Sequence, residues 1–266
     1  MALKGLEAII NHSRSEGKRL IFPNTLDSLG SLQRSHKVLH SLSSGLYPGA
    51  MTLSDRILFI DAEALVLDKP AGVPVDAPRR GGNSIAARIG ELKCGFQRPP
   101  TAMHRLDTDT SGCLLFARTA KARAAFQRAF ETRAVEKYYL AVVAGELTEE
   151  QGVIDAPLAK VSSERAGWRM VKDTHGLEAT TRWRRISIRD GSTLVEFRPL
   201  TGRTHQIRAH AREAFGKGIV GDRVYGVPGG PMLLHASRLV VPRERKETID
   251  VSSPLPDYFG HWSDAP

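Results

Sequence analysis

The chain has 266 residues, of which 41% are hydrophobic and 25% charged, proportions that fit a globular protein and exclude a disordered or fibrous one. Its net charge is +9 and its isoelectric point is near 9.8, so we expect a polyanionic partner. A basic globular protein without such a partner is the alternative that charge alone leaves open. No apolar run approaches the roughly 20 residues of a membrane-spanning helix, which argues against a membrane partner.

Cysteine usage bears on the cellular compartment. Cys94 and Cys113 form neither a CxxC pair nor a disulfide framework, which argues against a structural zinc site. Cys113 lies in an apolar run and is expected to be a small core residue. Together with the lack of a recognisable secretory leader, this predicts a protein of the reducing cytoplasm.

Residues 1–50 differ in pattern from the rest of the chain. They are punctuated by serine and glycine and contain no candidate site, so we expect a loosely ordered N-terminal extension followed by one domain over residues 51–266. The shift also suggests the hypothesis that Met51 is the natural start. Detection of the full-length N-terminal peptide in native protein would contradict that hypothesis.

Apolar runs and alternating patterns predict a chain rich in strands. The expected strands cover residues 57–60, 64–67, 113–116, 137–143, 180–188, 193–197, 232–241 and 248–251. Asp190-Gly191 is a hairpin signal, and the cluster Trp183-Arg184-Arg185 suggests an edge that faces RNA. Two amphipathic helices are expected, one over 120–135 capped by Thr119 and one from about Thr204 to Gly216.

The densest polar stretch is residues 104–112, His-Arg-Leu-Asp-Thr-Asp-Thr-Ser-Gly, directly before the apolar run 113–116. A polar turn attached to a buried strand is a frequent location for functional residues. The same residues also suit a solvated turn, because Asp side chains bond readily to their own backbone. By itself the stretch does not decide between these interpretations.

Six motifs occur in a fixed order along the chain. They are Asp68-Lys69-Pro70-Ala71-Gly72, His104-Arg105-Leu106-Asp107-x-x-Thr110-Ser111-Gly112, Lys137-x-Tyr139-x-Ala141, Thr201-Gly202-Arg203-Thr204-His205-Gln206-Ile207-Arg208, Gly221-Asp222-x-x-Tyr225-Gly226 and Leu234-His235-Ala236. This set resembles the RluA-type pseudouridine synthases, which isomerise uridine in RNA, over about residues 54–259. The resemblance implies an α+β fold with a mixed, mostly antiparallel central sheet flanked by helices and an active site in a central cleft.

The resemblance also implies roles for individual residues. Asp107 matches the catalytic aspartate, Tyr139 the tyrosine that stacks on the target base near C5, and Arg208 the arginine that pairs with the aspartate. A phenol near C5 is also a candidate proton relay. Residues expected to contact RNA or the substrate are His104, Arg105, Thr110, Arg203, His205 and Leu234, the last as part of the uracil pocket. Arg105 is a candidate to fill the space that a flipped base leaves or to hold a phosphate.

Some of this follows from chemistry alone. Arg208 falls near the start of a predicted helix, where a cation opposes the helix dipole, a cost that makes sense if the side chain faces a carboxylate. Pseudouridine formation has no net redox change and no energy input, so we expect neither a metal nor a nucleotide cofactor. Whether the carboxylate attacks C1′, attacks C6 or removes a 2′ proton stays open.

The expected partner is ribosomal RNA or transfer RNA, and we expect a monomer. Several relatives carry an N-terminal S4 RNA-binding module, for which residues 1–50 are too short, and the particular uridine stays open.

Two other functions fit parts of the sequence. One is a catalytically silent RNA-binding protein of the same fold. The other is a metal-dependent phosphotransferase that uses Asp107 and Asp109. Loss of activity in excess EDTA would indicate the phosphotransferase, and full function of an Asp107→Asn variant would indicate the binding protein.

Overall fold

The computed structural model describes residues 51–79, 81–163 and 167–264, so the expected N-terminal extension over residues 1–50 lies outside the described residues. The described strands are β1 (Ile57–Ile60), β2 (Ala64–Lys69), β3 (Thr101–Ala102), β4 (Ser111–Ala117), β5 (Glu136–Ala144), β6 (Gln151–Asp155), β7 (Leu158–Ser163), β8 (Gly167–Lys172), β9 (Thr180–Arg189), β10 (Ser192–Pro199), β11 (Leu234–Val241) and β12 (Ile249–Ser252). The α-helices are α1 (Ala120–Glu131) and α2 (Gln206–Phe215), and short 3-10 segments cover Ser54–Arg56, Ile89–Leu92 and Asp257–Asp264.

Ten of these strands form one sheet in the order β1-β2-β4-β11-β5-β10-β9-β6, with β12 added to β11 and β3 to β4. The pairs are antiparallel except for β4 and β11, which run parallel. Helices lie on both faces of the sheet, and β7 and β8 form a separate two-stranded ribbon. The expected α+β fold with a mixed, mostly antiparallel sheet is therefore confirmed.

The parallel pairing of β4 with β11 depends on Gly112, the last residue of the polar stretch. Its φ is +104°, and a Cβ built on it would lie 2.2 Å from the carbonyl oxygen of Ala236. No side chain fits in that space, so glycine is required where the two strands meet. All residues of β4 are buried, as expected for the run behind the polar turn.

The two faces of the sheet carry different layers. Ile207 and Ala211 of α2 pack on the face that holds Tyr139. Ala122 and Phe126 of α1 pack on the opposite face, where Cys113 is buried as a core residue. The residues that line the candidate site therefore come mainly from the α2 face.

Helix α1 begins as predicted and ends earlier. The Thr119 hydroxyl accepts the N–H of Ala122 at 3.1 Å, so the cap is confirmed. The predicted end at residue 135 is wrong because the helix stops at Glu131 and Arg133 takes a left-handed conformation with φ of +57°. This reversal directs the chain into β5.

The β9–β10 hairpin turns at Asp190 and Gly191, whose positive φ values of 50° and 69° fit the predicted turn. The expectation of an RNA-facing edge at Trp183-Arg184-Arg185 is wrong, because β6 covers that side of β9. Trp183 is buried. Arg184 binds Glu196, and Arg185 binds the carbonyl oxygens of residues 147 and 148.

Within the described ranges, none of the helices has both the length and the apolar character needed to cross a lipid bilayer.

Candidate active site

A cavity of about 280 Å³ opens between the polar turn 104–110, strand β5, the segment 199–208 and the start of β11. All nine residues that the sequence suggested for the site line this cavity. They are His104, Arg105, Asp107, Thr110, Tyr139, Arg203, His205, Arg208 and Leu234. Residues separated by more than a hundred positions are therefore brought to one place.

Arg208 lies between two carboxylates. Its Nη1 donates to Oδ2 of Asp107 at 3.0 Å, while Nε and Nη2 donate to the two oxygens of Asp222 at 2.7 and 2.9 Å. Burial opposes the charge of Arg208, yet its hydrogen bonds to Asp222 and the two acidic charges raise its pKa. The guanidinium is thus a permanently charged group held at a fixed position next to Asp107.

Asp222 both binds Arg208 and stabilises the turn in which it lies. Besides binding Arg208, it accepts the backbone N–H groups of Val224 and Tyr225 at 2.8 and 3.1 Å, as a turn former does. Its side chain is fully buried, and although burial disfavours its charge, Arg208 outweighs that effect and lowers its pKa. The motif around Asp222 was visible in the sequence, but its contact with Arg208 was not.

His205 approaches the same carboxylate oxygen of Asp107 that Arg208 binds. Its Nε2 lies 3.8 Å from Oδ2 of Asp107, and its Nδ1 lies 3.0 Å from the Tyr225 hydroxyl. That hydroxyl also accepts the N–H of Met170 at 2.7 Å, which ties His205 through Tyr225 to strand β8. Burial lowers the pKa of His205 in spite of the carboxylate nearby.

The ribbon of β7 and β8 also reaches this histidine. The ring of Trp168 stacks on His205 with 4.7 Å between ring centroids, and the Lys160 ammonium lies 5.0 Å from the Trp168 ring. Trp168 stays 42% exposed. A segment outside the main sheet therefore supports the site through Trp168 and the backbone of Met170.

Tyr139 and Leu234 form an apolar wall of the cavity. Tyr139 is 9% exposed and Leu234 3%. Burial, followed by the negative charge of Asp107, raises the pKa of Tyr139 well above its ordinary value of 10.0, so the phenol is neutral at physiological pH. A flat ring beside an aliphatic side chain suits an uncharged planar base.

Lys69 stabilises the turn that contains Asp107 by hydrogen bonds to backbone carbonyls. It is fully buried, and its Nζ donates to the carbonyl oxygens of Pro70, Val73 and Thr108 at 2.9, 2.7 and 3.0 Å. Burial lowers its pKa to about 8, against the opposing effect of Asp107 and other acids. The sequence showed Lys69 in a motif and assigned it no role.

His104 and Thr110 stabilise the turn from within. His104 Nε2 accepts the N–H of Leu115 at 3.0 Å, which ties the turn to β4. Burial and the charge of Lys137 lower the pKa of His104 to about 3, so the ring is neutral. Thr110 is buried and donates its N–H to the carbonyl of Asp107 at 3.1 Å.

Arg105 and Arg203 lie at the cavity rim. Arg105 is 70% exposed at its side chain and lies 3.1 Å from Asp76. The Nε of Arg203 donates to the Glu178 carbonyl at 2.9 Å. Neither contact is buried, so both arginines are accessible to a large polyanion.

The neighbouring Asp109 is exposed. In the part of the chain that the structure describes, no group of three or more His, Cys, Asp or Glu side chains is placed to hold a metal ion. The phosphotransferase alternative therefore gains no support from these residues.

Known proteins resemble this chain over most of the described region. A family model described as RNA pseudouridylate synthase matches residues 63–213. An uncharacterized RNA pseudouridine synthase of Zymomonas mobilis is 46% identical over 211 residues, 78% of this chain and 96% of that protein. The dual-specificity RNA pseudouridine synthase RluA of Yersinia pestis is 35% identical over 193 residues, 70% of this chain and 91% of that protein.

A solved structure, human RNA pseudouridylate synthase domain containing 4, superposes with a TM-score of 0.65 at 26% identity, over 86% of this chain and 95% of that one. The chain spans only 56% and 49% of the ribosomal large subunit pseudouridine synthases D of Zymomonas mobilis and Nitrosomonas europaea.

Fold and relatives agree on one class of protein, the RNA-modifying isomerases that convert uridine to pseudouridine. The chain belongs to the RNA pseudouridylate synthase family and is of the RluA type.

Proposed function

We propose that this enzyme isomerises specific uridines in ribosomal RNA, transfer RNA or both, with Asp107 as the catalytic aspartate. The observation that carries the proposal is the Asp107 carboxylate at the cavity, bound by Arg208, which is itself held by the buried Asp222. Such an arrangement holds a carboxylate in a fixed orientation beside a permanent positive charge. Relatives named as a large-subunit synthase D, 38% identical, and as the dual-specificity RluA support the choice of RNA.

The reaction breaks the N1–C1′ bond of uridine and forms a C5–C1′ bond. The proton lost from C5 is balanced by the proton gained at N1, so no redox partner is needed. Asp107 acts on the ribose or the base, by attack on C1′, by attack on C6 or by removal of a 2′ proton. Its Oδ2 is bound to Arg208, and among the described residues no partner binds its Oδ1, which leaves that oxygen for the substrate.

Tyr139 serves mainly as a stacking wall. A neutral phenol with a raised pKa is a poor base, and it takes the C5 proton only if it gives up its own proton in the same step. We propose that Tyr139 and Leu234 hold the uracil ring while C1′ is transferred from N1 to C5.

The target base must leave its stack to reach Asp107, because the carboxylate lies inside the cavity and is only 19% exposed at its side chain. Arg105 at the rim is placed to occupy the vacated space or to bind a phosphate. All residues of the proposed site come from one chain, so we propose that a monomer suffices. The free cysteines, one exposed and one buried, support a reducing cytoplasm as the location.

The decisive experiment replaces Asp107 by Asn. We expect Asp107→Asn to lower pseudouridine formation in RNA from a strain lacking the gene by at least about a hundredfold, because an amide is neither a base nor a nucleophile. RNA affinity should persist, and activity of the unmodified enzyme should persist in excess EDTA.

Asp109→Asn is the matched control, since this exposed acid lies two positions away, and its activity should stay near that of the unmodified enzyme. Turnover by Asp107→Asn close to normal would refute the assigned role.

A further inference from the structure

Lys137 is a lysine of the active-site cavity whose side chain has no role in the function proposed above. It lies on β5 two residues before Tyr139, so the two side chains share a face of the strand, about 7 Å apart along it. Lys137 lines the active cavity and also a neighbouring cavity of about 380 Å³ between the end of α1 and the segment 200–203. Its side chain therefore lies where the two spaces meet.

Lys137 is partly buried, and in the described part of the chain no hydrogen bond or ion pair satisfies its ammonium. Its Nζ would lie 4.0 Å from a Cβ built on Gly202, so no side chain separates the ammonium from that backbone. Burial lowers the pKa of Lys137. A partly buried ammonium without a counterion costs free energy, which an incoming anion would recover.

Arg203 adds a second cation to the same place, because it lines both cavities. Its Nε binds the Glu178 carbonyl, and its terminal nitrogens have no partner among the residues described. The segment that holds Gly202 and Arg203 is rigid, since Oε1 of the buried Gln206 accepts both the Thr201 hydroxyl and the Arg203 N–H, at 2.7 and 2.9 Å. The backbone and the Nε of Arg203 are therefore held in position before any ligand arrives.

Two acids lie near Lys137 and Arg203, and neither forms an ion pair with the Lys137 ammonium. Glu178 pairs with Arg133 at 3.0 Å, and the exposed Glu131 accepts a hydrogen bond from Gln127. The seam between the two cavities thus has an excess of positive charge.

We propose that Lys137 and Arg203 form a subsite for a backbone phosphate of the target strand, next to the nucleotide whose base lies against Tyr139. The proposal rests on the proposed function. In a nucleotide the ribose connects the base to the phosphates. A base that lies against Tyr139 therefore brings a phosphate close to Lys137, which lies on the same face of β5. The second cavity gives the RNA backbone a path past Lys137.

The test measures binding apart from turnover. Lys137→Met is combined with Asp107→Asn, and binding to a fluorescent single-stranded oligouridylate is followed from 50 to 200 mM KCl. Loss of one phosphate contact lowers the slope of log affinity against log salt by about 0.7 and the affinity at 0.1 M salt by about fivefold. The matched control is Lys121→Met, which removes an exposed lysine near the start of α1.

Stability gives a second measurement with the opposite sign. Because the ammonium has no counterion in the free protein, Lys137→Met should leave the melting temperature unchanged or raise it. A slope and an affinity equal to those of Lys121→Met would overturn the proposal. So would a lower melting temperature, since it would show that Lys137 supports the fold.

The same experiment separates this inference from the proposed function. If the unmodified enzyme forms no pseudouridine in RNA from the deletion strain, the proposed substrate is wrong, while a reduced salt slope of Lys137→Met still supports the phosphate subsite. If the Asp107→Asn protein does not bind the oligouridylate even at 50 mM salt, the phosphate subsite is contradicted.

Discussion

At the scale of single residues, the central feature is that Arg208 binds two carboxylates, Asp222 through two donors and Asp107 through one. Asp222 takes two of the donors of Arg208 and is fully buried, while Asp107 takes one donor and stays partly exposed. A guanidinium suits this task because its planar fork presents several donors in fixed directions, which a lysine does not. Asp222 therefore fixes the cation, and Asp107 keeps capacity for the substrate.

Removing Asp222 tests this division. Asp222→Ala leaves Arg208 buried with a single anionic partner, so we expect a loss of about 3 kcal/mol in the free energy of unfolding, together with reduced turnover. The pKa of Asp222 is lowered in the folded protein, so its contribution is complete at neutral pH and is lost only in acid, below its ordinary pKa of 3.8. Urea denaturation at pH 7 measures the change.

Asp109→Ala serves as the control for Asp222→Ala. Removal of this exposed acid should change the unfolding free energy by less than about 0.5 kcal/mol. Equal stability of the Asp222 and Asp109 variants would contradict the role given to Asp222.

Lys69 makes stability depend on pH in the alkaline range. Its pKa is about 8 in the folded protein and 10.5 ordinarily, so between these values the unfolded chain binds a proton that the folded chain has released. The free energy of unfolding therefore rises with pH across this window, and the whole effect is of the order of 3 kcal/mol. Lys69→Met abolishes this titration.

We expect Lys69→Met to be less stable at pH 7, because three carbonyls lose their donor. From pH 8 to 10 the unmodified protein should gain stability relative to Lys69→Met, measured by urea denaturation at each pH. The difference between the unmodified protein and Lys121→Met should stay constant. A constant difference for Lys69→Met as well would show that Lys69 does not titrate in this range.

At the scale of elements, the polar turn is held in place by its neighbours in the fold. Lys69 holds the carbonyl of Thr108, His104 holds the start of the turn to β4, and Gly112 allows β4 to pair with β11. Each contact reaches a different element, so the position of Asp107 depends on the whole central sheet. The turn is therefore not a separately folding loop.

Gly112→Ala tests the close approach of β4 and β11. The added methyl group would meet the Ala236 carbonyl at 2.2 Å in a backbone conformation that alanine avoids. We expect a loss of more than about 3 kcal/mol in unfolding free energy, measured by thermal and urea denaturation.

Gly72→Ala is the matched control for Gly112→Ala. Gly72 also has a positive φ, of 80°, but no atom lies within 4 Å of a Cβ built on it. Its substitution should cost only the backbone strain of about 1–2 kcal/mol. Comparable losses for the two glycines would contradict the steric argument.

At the scale of the whole molecule, the excess of positive charge remains available for RNA. Exposed cations that have no partner within the described ranges include Arg79, Arg98, Arg169 and Arg223. Together with the net charge of +9, they predict binding dominated by phosphate contacts.

Binding should accordingly fall steeply with salt. We expect the logarithm of RNA affinity to decrease linearly with the logarithm of salt concentration, with a slope of magnitude 3 or more, since several phosphates release counterions. Fluorescence anisotropy with total tRNA from 50 to 200 mM KCl measures this slope. A slope of magnitude below about 1 would mean that the basic surface does not contact RNA.

Much of the local structure was predictable from residue order. The β9–β10 turn, the Thr119 cap and the Gly216 end of α2 each depend on a few adjacent residues with strong conformational preferences. The end of α1 was not predictable, because it depends on how Arg133 turns the chain toward β5.

For the site, motif order led to the cavity residues and to the family, because those residue types recur together in a fixed sequence. The roles of Asp222, Lys69 and Lys137 required the folded chain. Arg208 is 101 residues from Asp107 and 14 from Asp222, and Lys69 is 39 from Thr108. Two features depend on distances and burial that only packing creates: that an acid binds a guanidinium, and that a lysine lacks a counterion. The stretch 104–112 was by itself either a turn or a site, and its neighbours in space place Asp107 at the cavity, bound to Arg208.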